Sequence, residues 1–246
     1  MNKLLAIVLL ELALLCGVHA QGATYATNFP LDENPIAEAG RWINGQSVGL
    51  DWKDVRTTPG LAFGADASGT PNYNDPTALV SGVWGPNQTV QATVRTVNQQ
   101  SGNIYEEVEI RLRSAISAHS ITGYEINFRC THDGSQYVQI VRWNGPLGNF
   151  TYIQGTTGPG LMNGDTVKAT IVGSVITGYI NGAQVVQGTD ATYATGNPGM
   201  GFYLHGAPGL NADFGFTSFT ASDGGLPPAP PKNLHIASVG TRATGA

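Results

Sequence analysis

Asn163–Val186 reads NGDTVKATIVGSVITGYINGAQVV, and its pattern decides the fold class. Val167, Ala169 and Ile171 fall at every second position, with Lys168 and Thr170 between them. That period puts apolar side chains on one face of a strand, whereas a helix would repeat them every three to four residues. Asn163-Gly164-Asp165 and Asn181-Gly182 are turn signals whose residues accept left-handed backbone, so they join strands tightly. The segment is expected to form strands over Asp165–Val172, Val175–Asn181 and Ala183–Gln187.

The same alternation recurs outward in both directions. Strands are expected at Thr24–Phe29, Ala78–Trp84, Thr89–Val97, Tyr105–Ser114, Gly123–Arg129, Tyr137–Trp143, Gly199–Leu204 and Ala212–Ala221, separated by turn signals such as Asn144-Gly145-Pro146 and Asn197-Pro198-Gly199. No stretch beyond the first twenty residues sustains a helical period. More than ten short strands at this spacing predict an all-β sandwich or barrel.

Composition agrees with that class and excludes others. Only 12% of the 246 residues are charged, while Gly and Pro number 33 and 14. A coiled coil or helical bundle needs far more Glu, Lys and Leu. The net charge is −5 and Lys and Arg form no cluster, which argues against nucleic acid as a partner.

Residues 1–20 read as a secretory signal peptide. Lys3 precedes the apolar run Leu4–Leu15, and Val18-His19-Ala20 offers small residues at a cleavage site. The run is too short for a membrane span and is interrupted by Glu11. The expected location is secreted or extracellular, periplasmic or cell-surface in a bacterium. Residues 21–222 then form one large β domain that retains a single cysteine, Cys130, so no internal disulfide staples it. Cys130 is expected to be a buried small hydrophobe. Residues 223–246 open with GGLPPAPPK (Gly224–Lys232), a stiff Pro-rich linker to a further domain or partner, followed by a tail too short to fold alone.

Asn163–Val186, together with the Gly-rich turn and closing strand in Asn197–Tyr203 (NPGMGFY) and Ala212–Phe219 (ADFGFTSF) and with Gly123-Tyr124-Glu125, resembles the concanavalin A-like lectin/glucanase superfamily in its laminin-G-like bacterial branch. The resemblance covers about residues 24–222. It implies a jelly roll of two antiparallel sheets with carbohydrate held on the concave face or at its rim.

The few charges locate a candidate site. Residues 105–143 hold nine of them: Glu106, Glu107, Glu109, Arg111, Arg113, Glu125, Arg129, Asp133 and Arg142. With Val108, Ile110 and Leu112 facing the core, alternation leaves Glu107, Glu109, Arg111 and Arg113 on the other face. By the same rule Glu125, Asn127 and Arg129 share that face on the next strand, and Tyr137, Gln139 and Trp143 on the third. Carboxylates and guanidiniums edged by aromatic rings suit sugar hydroxyls and sugar ring faces. The same letters also describe ion pairs that merely solvate an exposed sheet, and Trp143 also suits a packing role at a strand end.

Catalysis is the alternative. Glu107 and Glu109 stand about 6.6 Å apart along a strand, near the separations of glycosidase carboxylate pairs. The resemblance implies Glu-x-Asp-x(x)-Glu on such a strand in the glucanases, as nucleophile, assistant and acid. Here Arg111 or Leu112 occupies the acid's place in Glu107-Val108-Glu109-Ile110-Arg111-Leu112, and neither can protonate a glycosidic oxygen. Alginate-lyase relatives require Gln-x-His, which does not occur. The expectation is a carbohydrate-binding, lectin-like module with no catalytic residue. The alternatives are a glycan-degrading enzyme using Glu107, Glu109 or Glu125, a hydrolase before a lyase, and a laminin-G-like protein-adhesion domain. No cofactor and no metal ligand are expected. Calcium is conceivable at Asp66, Asn72, Asn74 and Asp75, or between Asp32 and Asp213 if the terminal strands pair, as the resemblance implies.

Overall fold

The alternating runs form strands in the computed structural model, which describes residues 22–65, 73, 75–206 and 210–224. The expected leader, the loop residues Asp66, Asn72 and Asn74, and the Pro-rich tail from residue 225 lie outside the described residues. The strands are β1 (Thr24–Thr27), β2 (Trp42–Asn44), β3 (Val55–Thr58), β4 (Leu61–Gly64), β5 (Thr77–Val80), β6 (Gln88–Thr96), β7 (Tyr105–Ser117) and β8 (Ser120–Arg129). They continue with β9 (Val138–Gly145), β10 (Phe150–Thr156), β11 (Thr166–Val172), β12 (Val175–Ile180), β13 (Ala183–Thr189), β14 (Asn197–His205) and β15 (Phe214–Ser222). Every expected strand forms. Four others went unread: β2, β3 and β4, at three or four residues each, are too short to show a period, and β10 is largely polar.

Two antiparallel sheets result. One runs β13-β12-β11-β6-β15-β4-β3, with β1 paired to β15; the other runs β10-β9-β8-β7-β14-β5-β2. Long-range pairs dominate, as in β15 against β6 and β14 against β7. The core lies between the sheets. Val108, Ile110, Tyr124, Ile126, Phe128, Ile140 and Phe202 from the seven-stranded sheet meet Val90, Val94, Val167, Ile171, Ile176, Phe216 and Phe219 from the eight-stranded one, all fully or nearly fully buried. Cys130 is a free, buried thiol in this core, as expected, and burial pushes its pKa up.

The two sheets approach closely at Gly178 on β12. A Cβ there would lie 2.8 Å from Val186 Cγ1 on the neighbouring strand and 3.2 Å from Ile126 Cγ2 on the facing sheet. Gly178→Ala is therefore expected to destabilise the fold by ~1–3 kcal/mol, since well-packed cores resist added methyl groups. Thermal unfolding checks it, with Tm lowered by about 2–4 °C per kcal/mol for a chain of this size.

Candidate functional site

Core packing on one face of β7, β8 and β9 commits their intervening residues to the other face, the outer surface of the seven-stranded sheet. Register then fixes the neighbours. Glu107 lies opposite Arg129, Glu109 opposite Asn127, and Arg111 opposite Glu125. Asn127 pairs in turn with Gln139, Gly123 with Trp143, and Glu125 with Val141. On the far side, β14 sets Tyr203 against Glu107, Gly201 against Glu109, and His205 against Tyr105. The expected face thus forms on three adjacent strands.

It is not a solvated ion-pair surface. Glu109 is 1% exposed, Arg111 0% and Glu125 3%. Arg111 is the centre of the group: Nη2 lies 2.9 Å from Glu109 Oε2, Nη1 2.9 Å from Glu125 Oε2, and Asp75 Oδ2 stands 4.0 Å from Nη2. Gly201 leaves the room for this, because a Cβ there would come within 2.2 Å of Glu109 Oε2 and 3.0 Å of the Arg111 guanidinium. Trp143 Nε1 donates to Glu125 Oε2 at 2.6 Å, and the Tyr137 hydroxyl donates to Glu107 Oε1.

Above the carboxylates is a cleft of about 400 Å³ whose lining includes Asp75, Glu107, Glu109, Glu125, Asn127, Tyr137, Gln139 and Trp143. Its wall is an arc of rings. Tyr105 contacts His205, which stacks on Tyr203 at 6.3 Å; Tyr203 stacks on Tyr73, which meets Phe150 edge-on at 5.0 Å. Phe150 also touches Trp143 and Tyr152. Trp143 serves packing as well, in a small cluster with Leu50, Trp52 and Ile121.

Seven of the nine expected site residues therefore line one cleft: Glu107, Glu109, Glu125, Asn127, Tyr137, Gln139 and Trp143. Arg111 lies beneath them. Arg129 is turned to the loops, donating to the carbonyls of Ser135, Gly102 and Ile104 and lying 4.3 Å from the Tyr105 ring centroid. Arg113 departs from the expected face altogether. A β-bulge between Leu112 and Ala115 breaks the alternation, Arg113 takes φ 45°, and its guanidinium binds the carbonyls of Pro86, Tyr193 and Gly173. The residues that sequence reasoning did not place in the site are Tyr73, Tyr105, Val141, Phe150, Tyr152, Tyr203, His205 and Asp75, the last read only as a conceivable calcium donor. Tyr203 and His205 alternate visibly in GFYLH, so strand parity alone could have found them once β14 was placed beside β7.

Among the described residues, Asp75, Glu109 and Glu125 form a group of carboxylates close enough to share an ion, their oxygens within 4.8 Å of one another. They do not fit a metal site. Arg111 is already the cation at their centre, within 4.0 Å of all three. Asp32 and Asp213 belong to no such group among the described residues.

Neither a family model nor a curated protein sequence matches the chain. Solved structures do. The carbohydrate recognition domain of Emp46p in its potassium-bound form has a TM-score of 0.51 at 13% identity, covering 81% of this chain and 96% of that one. The metal-free form of the same domain gives 0.50 at 12% identity, covering 82% and 97%. The carbohydrate-binding module CBM66 from Bacillus subtilis gives 0.49 at 16%, covering 77% and 96%. The fold is a concanavalin A-like jelly roll.

Two predictions follow from the carboxylate group. Arg111→Met leaves Glu109 and Glu125 buried without their cation, so it is expected to lower the unfolding free energy by about 3–5 kcal/mol in chemical denaturation. The second concerns pH. Burial pushes the Glu107 carboxyl up from 4.5 to about 7; the Tyr137 hydrogen bond and Arg129 oppose the rise and Glu125 adds to it. A carboxyl that is a weaker acid when folded stabilises the fold fully below about pH 4.5 and loses that contribution as pH rises through about 7. Glu107→Gln keeps an acceptor for Tyr137 and removes the titration. It is expected to flatten the pH dependence of Tm across that window and to melt above the unaltered protein at about pH 8, by on the order of 3 kcal/mol in stability.

Proposed function

We propose that this protein is a secreted module that binds a glycan in the cleft on the outer face of its seven-stranded sheet, without bond-making or bond-breaking chemistry. The observation that carries the reading is the pairing of an aromatic arc with a floor of fixed carboxylates in one open cleft. Ring faces stack on the apolar faces of pyranose rings, and carboxylates accept from sugar hydroxyls in directions set by their own partners. Carbohydrate recognition domains among the similar solved structures agree with it. The leader sequence supports export.

Arg111 weighs against turnover. It clamps Glu109 and Glu125 at 2.9 Å each, which leaves neither free to swing toward a glycosidic carbon or oxygen. Glycoside hydrolysis remains the second reading on one specific observation: Glu107, raised to about 7 and free of an ion pair among the described residues, has the acidity of a proton donor at neutral pH.

Tyr152 tests the binding reading. It stands 59% exposed on the edge strand β10 and packs edge-on against Phe150. Tyr152→Ala is expected to weaken binding of a glycan identified on an array by about tenfold, the scale of one lost aromatic contact, with Tm unchanged. Unchanged affinity removes the cleft from the binding face. Reducing-sugar release from a polysaccharide panel, abolished by Glu107→Gln, replaces the binding module with a hydrolase.

A further inference from the structure

The cleft accepts far more than it donates. Among the described residues its lining carries four carboxylates, Asp75, Glu107, Glu109 and Glu125, and no lysine or arginine side chain. The guanidinium beneath them, Arg111, forms ion pairs with Glu109, Glu125 and Asp75, and none with Glu107. The other nearby guanidinium, Arg129, donates from Nη1 and Nη2 to the carbonyls of Ser135, Gly102 and Ile104 and forms no ion pair with Glu107, acting on it only through space. Arg111 thus pairs with three of the four carboxylates, and Glu107 has no ion pair among the described residues.

A second observation is independent of charge. Asn127 is 7% exposed and lies on the cleft lining between Glu109 and Gln139, yet its Oδ1 has no hydrogen-bond partner among the described residues. A buried acceptor left open in a cleft wall calls for a donor from the ligand. The rings add a third element. Tyr137 and Tyr203 line the cleft beside the carboxylates, and aromatic rings favour a neighbouring cation over an anion.

We infer that the cleft selects a glycan bearing free, protonated amino groups, a glucosamine-type chain without N-acetyl substitution, in which an ammonium seats over the Glu107, Glu109 and Asn127 acceptors. An ammonium brings three donors and no acceptor, which is the complement of this floor. An acetamide in its place would bring one N–H donor and no charge, and a uronate would set acid against acid with no lysine or arginine among the described lining residues to mediate. Burial, with neighbouring carboxylates adding to it, raises the pKa of Glu107 and of Glu109, so an ammonium seated beside them would draw their protons off as it binds. The inference rests on the glycan-binding reading and narrows it to a ligand class.

The test is calorimetry on the full chain at about pH 6, where amino-sugar amines are charged. Four probes are compared: a glucosamine hexamer, its fully N-acetylated counterpart, cellohexaose and an oligogalacturonate. The glucosamine hexamer is expected to bind about tenfold or more tightly than the acetylated and uncharged chains, as a charge-assisted hydrogen bond in a buried site allows, and its affinity falls with added salt. No binding of the uronate is expected. Glu107→Gln should reduce the preference for the amine to about threefold or less, while Tyr152→Ala should weaken every chain and keep the preference. Equal or tighter binding of an acetylated, uncharged or acidic chain overturns the inference and leaves the glycan reading standing, as does a full amine preference in a folded Glu107→Gln protein. Binding of none of the four, with none found on a glycan array, removes the glycan reading itself.

Discussion

The Arg111 guanidinium is the constraint on which the outer face of this sandwich depends. It lies at 0% exposure under a sheet surface, between Glu109 on its own strand and Glu125 on the next, with Asp75 arriving from the loop before β5. Burying an arginine costs several kcal/mol unless carboxylates meet it, and burying carboxylates costs as much unless a cation meets them. Each group is tolerable only because the others are present. The cluster thus ties β7, β8 and the approach to β5 into one arrangement, and Trp143 extends the tie to β9 through its hydrogen bond to Glu125.

That arrangement explains why the cleft is both rigid and acidic. Glu109 and Glu125 are held by Arg111, and Glu107 is held by the Tyr137 hydroxyl, so the floor does not adapt to a ligand. Desolvation dominates the behaviour of the carboxyls, since Glu107 and Glu109 are raised despite a guanidinium nearby. The aromatic arc supplies that desolvation. Rings from Tyr105 to Phe150 pack edge to face and face to face along the wall beside the carboxylates.

The sandwich positions this without contributing chemistry. Its core residues all lie on the parity opposite to the site residues, so the valines and phenylalanines that hold the two sheets together also decide which way Glu107, Glu109 and Glu125 point. Glycine acts at two places that bear on the site and the core. Gly178 allows the sheets to approach, and Gly201 allows the ion pair to lie flat against β14.

Period-two alternation by itself determined the class of fold, the strand identities of β1, of β5 to β9 and of β11 to β15, and the face shared by Glu107, Glu109, Arg111, Glu125 and Asn127. These follow from local geometry, because a strand sends successive side chains to opposite sides whatever surrounds it. Only the tertiary structure decided that this face is a buried cleft rather than a solvated sheet. Burial came from elements far away in the chain, Asp75 and Tyr73 before β5, Phe150 and Tyr152 on β10, and Tyr203 and His205 on β14, and alternation carries no information about which strands become neighbours. The same limit misplaced Arg113, where one bulge shifted the parity that the letters had implied. Charge scarcity marked where to look; only sheet order and packing made the place a cleft.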